Sequence, residues 1–89
     1  MTSETIAIIN PSGLHARPAS NFVKIAARFR SSVEIVKNGK AYNAKSMISI
    51  LSACVKYGET IEIRANGEDE KEALAVIADA VKSGLGEQV

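Results

Sequence analysis

The chain holds one histidine, His15, in the stretch "SGLHARPAS" at residues 12–20, with Arg17 two residues on and Pro18 directly after it. These residue types at this spacing suit phosphoryl chemistry. A neutral imidazole nitrogen is a competent nucleophile for covalent transfer. A guanidinium presents forked donors that match phosphate oxygens. Proline is tolerated in the first turn of a helix, where backbone N–H groups lack intrahelical partners, so Pro18 marks a helix start just past His15. A helix start exposes unpaired donors and the positive end of the backbone dipole, which favours an anion. The dipole and Arg17 together oppose a positive charge on the imidazole and favour its neutral form. Gly13 lets the chain turn tightly beside the ring. His15 thus reads as a nucleophile for a phosphoryl group. A core role is disfavoured, because His15 lies outside any apolar stripe. A histidine packed in a surface loop without chemistry is the competing reading on the residues alone.

Other chemistry lacks parts. One histidine and one cysteine, Cys54, do not make a zinc site. A Cys-His nucleophile pair is disfavoured because Cys54 is expected in mid-helix, within the core. The chain has no Gly-rich nucleotide loop and no dinucleotide fingerprint, so no cofactor and no metal is expected. With 89 residues the whole chain, 1–89, is expected to be one domain with a modest core and no deep pocket. A phosphoryl group on His15 then has to come from, and go to, other proteins. No apolar run approaches the roughly 20 residues of a membrane span. The start "MTSETIAIIN" lacks a signal-peptide layout, and a lone cysteine forms no internal disulfide. The expectation is a cytoplasmic protein without membrane insertion.

The net charge of +1 is unevenly spread. Residues 1–46 carry seven bases against two acids, whereas residues 47–89 carry four bases against eight acids. A basic half on a nearly neutral domain suits an acidic protein partner or a phosphate group. Nucleic acid is disfavoured, since the bases are dispersed and four aromatics offer little stacking.

The elements that must position His15 follow from hydrophobic period and turn chemistry. "ETIAII", residues 4–9, alternates as a strand, and Asn10-Pro11-Ser12-Gly13 reads as a loop. Ala19, Phe22, Val23 and Ala26 make the apolar stripe of a helix from Ala16 to about Phe29. "SVEIVK" at 32–37 and residues 40–43 form two strands around Asn38-Gly39, a type I′ hairpin signal. Ser46 is an N-cap for a short helix from Met47 to about Lys56, closed by Gly58. "TIEIRAN" at 60–66 alternates cleanly. Asp69 and Glu72 have capping-box spacing before a last helix with Leu74, Ile77, Ala78 and Val81 buried, and Gly84 near its end. The order is β-α-β-β-α-β-α. Alternating strands leave one sheet face wet, and each helix has an apolar stripe. The expected fold is α+β: an open-faced two-layer sandwich, its four-stranded, mainly antiparallel sheet covered on one face by three helices.

"GLHARPAS" together with "NAKSMISIL" further on resembles the HPr phosphocarrier proteins of the bacterial phosphotransferase system. The likeness in element order and spacing covers essentially the whole chain, and the first motif is the more specific. The resemblance implies that phosphorylated enzyme I passes its phosphoryl group to Nδ1 of His15, which hands it to IIA domains of sugar permeases. Arg17 and the backbone N–H groups of Ala16 and Arg17 then steady the group. It also gives the second helix a purpose. Met47, Ile50, Leu51 and Cys54 form one stripe, and Ile48, Leu51 and Val55 another, which is more apolar surface than a short helix normally buries. A broad core stripe accounts for Ile50, Leu51 and Cys54. Met47 and Ile48 are expected to be partly exposed as a docking patch beside His15, with Leu51 at its edge and Lys24, Arg28 and Lys45 around it to meet acidic partners.

In many family members the serine at position 46 is also phosphorylated by an ATP-dependent HPr kinase/phosphorylase, and the modified form binds a catabolite-control repressor. The resemblance therefore makes Ser46 a regulatory site as well as a cap. Several positions depart from the family pattern: Cys54 where many members have glycine, Met47-Ile48 in the docking pair, and Ser20 for a frequent alanine. None touches His15 or Arg17, but they bear on the choice of partners. A nitrogen-branch or catabolite-control paralogue acting through protein binding is the second reading, and a plain interaction module with an incidental histidine the third. A monomer is expected, since a carrier presents one face to several enzymes in turn.

Overall fold

A computed structural model describes residues 1–87 of the chain. Seven elements follow one another: β1 Thr2–Ala7, α1 Ala16–Ala26, β2 Ser32–Lys37, β3 Lys40–Asn43, α2 Met47–Ser52, β4 Thr60–Asn66 and α3 Glu70–Lys82. The strands form one sheet in the order β1-β4-β2-β3, and every pairing is antiparallel. Its register stacks apolar pairs on one side, with Ile6 opposite Ile61, Ile35 opposite Ile63 and Val33 opposite Ala65. The helices cover that face with Phe22, Ile50, Ile77 and Val81, all essentially free of solvent. Glu34, Glu62 and Arg64 line the opposite, open face. The two-layer sandwich read from the alternation is therefore the architecture of the chain.

The β2–β3 hairpin turns through Asn38 and Gly39, both at positive φ (53° and 79°), as a type I′ turn requires. Elsewhere tertiary contacts move the expected ends. β1 begins and ends two residues earlier than its alternation suggests, because the ladder runs only as far as β4: Thr2 pairs with Ala65 and Ala7 with Thr60. Ile8 stays buried and exchanges two bonds with the turn before β4, its N–H to Glu59 O and its carbonyl from Gly58 N–H, both 2.9 Å. α1 stops at Ala26 and tightens: Arg28 and Phe29 donate only three residues back, to Ile25 and Ala26.

The largest correction concerns α2. It ends at Ser52, four residues short of the expected Lys56, and Cys54 lies past it in the left-handed region (φ 51°). The Lys37 ammonium, at the end of β2, takes the carbonyls of Ala53 and Cys54 at 3.0 and 2.7 Å. Those are carbonyls a helix end leaves without intrahelical donors. Cys54 is therefore exposed rather than buried in mid-helix.

The expected capping box at Asp69 and Glu72 is also absent. Asp69 stands at the N-cap of α3 but makes no cap bond to it. Its carboxylate reaches across to the α1–β2 turn, accepting from the Ser31 hydroxyl at 2.5 Å and from the N–H groups of Ser31 and Arg30 at 2.9 and 3.0 Å. Glu70 instead reaches back to Gly67 N–H at 3.2 Å.

The loop that carries His15 is set by one close approach. Gly13 lies at φ 69°, and a Cβ there would fall 2.1 Å from the Val55 carbonyl oxygen. Leu14 N–H donates to that same oxygen at 3.0 Å. Only glycine meets both conditions.

Two stability measurements follow. The Ser31 hydroxyl first, then the Arg30 and Ser31 N–H groups, hold the Asp69 carboxyl down at about 2, from 3.8. A depressed carboxyl stabilises the fold above its unfolded value and loses that contribution as pH falls through its folded one. Asp69→Asn should therefore lower the denaturant midpoint at pH 7, and the gap to wild type should close as pH falls from about 4 to about 2. Gly13→Ala should cost more than about 1 kcal/mol, since strain and a clash with backbone add together. A thermal melt unchanged by Gly13→Ala would contradict the close approach.

Candidate functional site

His15 is the N-cap residue of α1. Its side chain is exposed and makes no bond to the helix it precedes, so the imidazole is not occupied as a cap. Ala16 and Arg17 supply the first two helical amides, which have no carbonyl within the helix to bond. Ala16 adopts φ 51°, a left-handed conformation that costs an L residue about 1–2 kcal/mol. It lies at the junction between the loop and the helix, where the chain changes direction. Arg17 is exposed, while Pro18 and Ala19 are buried and fasten the helix to the core. An imidazole, a guanidinium and unpaired amides therefore share one helix end.

The loop before His15 is held at several points. Gly13 N–H donates to Asn10 O at 2.9 Å, and His15 N–H turns back to Gly13 O at 3.0 Å. The buried Asn10 amide donates to Gly84 O at 2.8 Å and to Glu87 Oε1 at 2.9 Å, tying the loop to the end of α3. Asn21, on α1, adds a bond to Leu85 O at 2.6 Å.

Beside His15 lies a shallow depression of about 260 Å³, lined by Ser12, Leu14, Leu51, Cys54, Val55 and Lys56. Its walls are the His15 loop on one side and the end of α2 on the other. Lys56 adds a cation that the sequence reading did not single out. Cys54, Val55 and Lys56 were missed because they reach the histidine only through the early end of α2, which carries no local sequence signal. The loop beyond is pinned by Glu59, whose carboxylate accepts from Lys56 N–H at 2.7 Å and pairs with Lys37 at 3.1 Å. The Lys56 amide, then the Lys37 ammonium, hold the Glu59 carboxyl below its usual range.

The expected docking residues divide between α2 with the residue before its cap and the end of α1. Ile48 is 82% exposed, Met47 and Leu51 are half-buried against the core, and Ile50 is fully inside. Lys24 is exposed in the last turn of α1, and Arg28 is exposed just beyond it. Lys45 is half-buried, with its ammonium on the Phe29 carbonyl at 2.7 Å, so it joins the start of α2 to the end of α1. Ser46 caps α2, its hydroxyl accepting from Ser49 N–H at 3.3 Å. Among the described residues no group of three or more His, Cys, Asp or Glu is placed to hold a metal ion. No helix among them is long and apolar enough to cross a membrane.

Known proteins match this chain in sequence and in fold. A family model described as the PTS HPr component phosphorylation site matches residues 2–83. The phosphocarrier protein HPr of Buchnera aphidicola is 45% identical over 74 residues, covering 83% of this chain and 87% of the relative. A crystal structure of HPr-C-His from Thermoanaerobacter tengcongensis superposes with a TM-score of 0.96 at 42% identity, covering both chains fully. One of Crh, the Bacillus subtilis catabolite repression containing protein, an intertwined dimer with a swapped domain, matches with a TM-score of 0.76 and 39% identity. That match covers 98% of this chain and 100% of Crh. The exposed histidine, its helix end and its loop thus lie within a family match that spans nearly the whole sequence, and the chain belongs to the HPr family of phosphocarrier proteins of the phosphotransferase system.

Proposed function

We propose that the chain, residues 1–89 acting as one HPr domain, accepts a phosphoryl group from phosphorylated enzyme I on His15 and donates it to sugar-specific IIA domains. The observation that carries this reading is the unoccupied N-cap imidazole, exposed at a helix end beside Arg17. In the forward step an imidazole nitrogen attacks phosphorus, the bond from phosphorus to enzyme I breaks, and enzyme I leaves with that bond's electron pair. The phosphoryl oxygens then find Arg17 and the amides of Ala16 and Arg17 as donors. In the second step an acceptor nucleophile attacks phosphorus and the bond to His15 breaks, restoring the neutral imidazole. The protein is not itself an enzyme in this scheme. It works in the cytoplasm as a monomer, docking through Ile48, Met47 and Leu51 with Lys24 and Arg28 nearby to meet acidic partners. Light scattering distinguishes the monomer from the swapped dimer known for Crh.

A second reading is a catabolite-control paralogue acting mainly through protein binding. The likeness to Crh and the position of Ser46 at the N-cap of α2, next to Met47 and Ile48, favour it. A phosphate at that N-terminus is electrostatically welcome to the helix, yet it places negative charge beside the docking residues. An HPr kinase and a catabolite-control repressor are the partners this reading adds.

Incubation with enzyme I and labelled phosphoenolpyruvate should give acid-labile, alkali-stable label that is lost in His15→Ala; no label on wild type would sink the carrier reading. Arg17→Glu should slow transfer by about a hundredfold or more while leaving the melting temperature unchanged, because it removes donors from the transferring group. Ser46→Asp should keep the fold and raise KM for enzyme I, measured in the same assay. ATP-dependent label on Ser46 with a cognate kinase would support the second reading, and the two roles are compatible.

A further inference from the structure

Lys37 lies far from His15 in sequence and outside the docking residues, yet its ammonium sits where several segments meet. Its side chain is only 14% exposed. A lysine ammonium has three protons to donate, and three acceptors surround this one: Ala53 O at 3.0 Å, Cys54 O at 2.7 Å and Glu59 Oε1 at 3.1 Å. The first two are carbonyls at the end of α2. The third belongs to the turn before β4 and also accepts from Lys56 N–H. One cation therefore fixes both ends of residues 53–59 to the end of β2.

That segment is the wall on which the histidine loop rests. Ile8 N–H donates to Glu59 O, Gly58 N–H donates to Ile8 O, and Leu14 N–H donates to Val55 O. The His15 loop is thus attached to residues 55–59 on either side of its turn. Gly13 closes onto the Val55 carbonyl with no room for a side chain. A shift of the wall would move Leu14 and so turn the His15 backbone, changing where its imidazole lies relative to the first amides of α1.

We propose that Lys37 is a positioning residue for phosphoryl transfer, holding the 53–59 wall so that His15 is kept in register with the donors of Ala16 and Arg17. The claim rests on the carrier reading above. Transfer between partners is sensitive to small misplacement: an error of about 1 Å is enough for losses of up to a hundredfold. The docking residues Met47, Ile48 and Leu51 precede the two carbonyls that Lys37 holds, and Ile50 in the core and Lys45 on the Phe29 carbonyl anchor their helix independently, so Lys37 should act on the rate of the chemical step more than on partner affinity.

The test combines exchange and kinetics on the full chain. In Lys37→Met, amide hydrogen exchange at Leu14 and Gly58 should rise about tenfold or more beyond any global change, while the amides of the β2–β4 ladder follow global stability alone. The kcat for transfer from enzyme I should fall about tenfold, with KM for enzyme I within about twofold of wild type. Lys37→Arg, which keeps a cation and several N–H donors there, should restore most of both. Should Lys37→Met fail to fold, Glu59→Gln keeps the acceptor oxygen but removes its charge, weakening its contacts to Lys37 and to Lys56 N–H while leaving both carbonyl contacts of Lys37 in place, and should move exchange and kcat in the same direction by less. Unchanged Leu14 exchange and kcat in a folded Lys37→Met overturn the proposal. So does a uniform rise across all amides, or a change confined to KM. If wild type takes no label, the carrier reading falls instead, and selective loss of protection at Leu14 would still uphold the brace.

Discussion

The carbonyl of Val55 meets two demands at once. It accepts the N–H of Leu14, and it lies so close to Gly13 that no side chain fits between them. The turn residues Asn10 to Gly13 bend the chain locally, and that approach fixes where the bend lies against the rest of the fold. His15 then arrives at the start of α1 as its N-cap. The contact joins residues some forty positions apart, so its entropic cost falls on loop closure, and the sheet offsets it. β1 and β4 pair along their whole length, which brings Ile8 beside Glu59 before the loop begins. Ladder bonds therefore fix the start of the histidine loop, and the Leu14–Val55 bond holds its far side.

The end of α2 is the counterpart of that contact. A six-residue helix contributes little stability through its own hydrogen bonds, because nucleation is costly and few bonds follow. Its place is set by what surrounds it: Ile50 in the core, Lys45 on the Phe29 carbonyl at one end and Lys37 on the last carbonyls at the other. Had α2 run on to Lys56, the Val55 carbonyl would point along the helix axis and not toward Leu14. The premature end frees the acceptor on which the histidine loop depends. It also places Cys54 in a left-handed conformation at the surface, where a buried thiol was expected.

Local rules found the elements and missed the contacts between them. The alternation of Ile61, Ile63 and Ala65 located β4 to the residue, and Asn38-Gly39 located the hairpin, because period and turn chemistry are short-range properties. His15, Arg17 and Pro18 were legible for the same reason: all the groups lie within four residues. Asp69 was assigned to the wrong partner because its spacing to Glu72 satisfied a local rule. Only the folded chain brings Ser31 and the Arg30 amide to its carboxylate with a better set of donors. The end of α2 failed likewise, since its terminator is a lysine sixteen residues earlier in another strand. Lys56 and Val55 entered the site by that same route.

The shallowness of the site bears on how such a protein selects what it exchanges with. A depression of about 260 Å³ open to solvent is small beside the pockets of roughly 300–1,000 Å³ that bury ligands. It cannot discriminate among small molecules by enclosure. Under the carrier role, water is excluded and the reacting atoms aligned only when a partner closes over His15, and the geometry on this side must already be correct when it does. Rigidity then matters more than cavity shape. The bonds from Asn10 to the tail, from Leu14 to Val55 and from Lys37 to the wall all act on this loop or on its support. A preorganised surface of this kind loses little entropy on each encounter, which suits a protein that must release one partner before it meets the next.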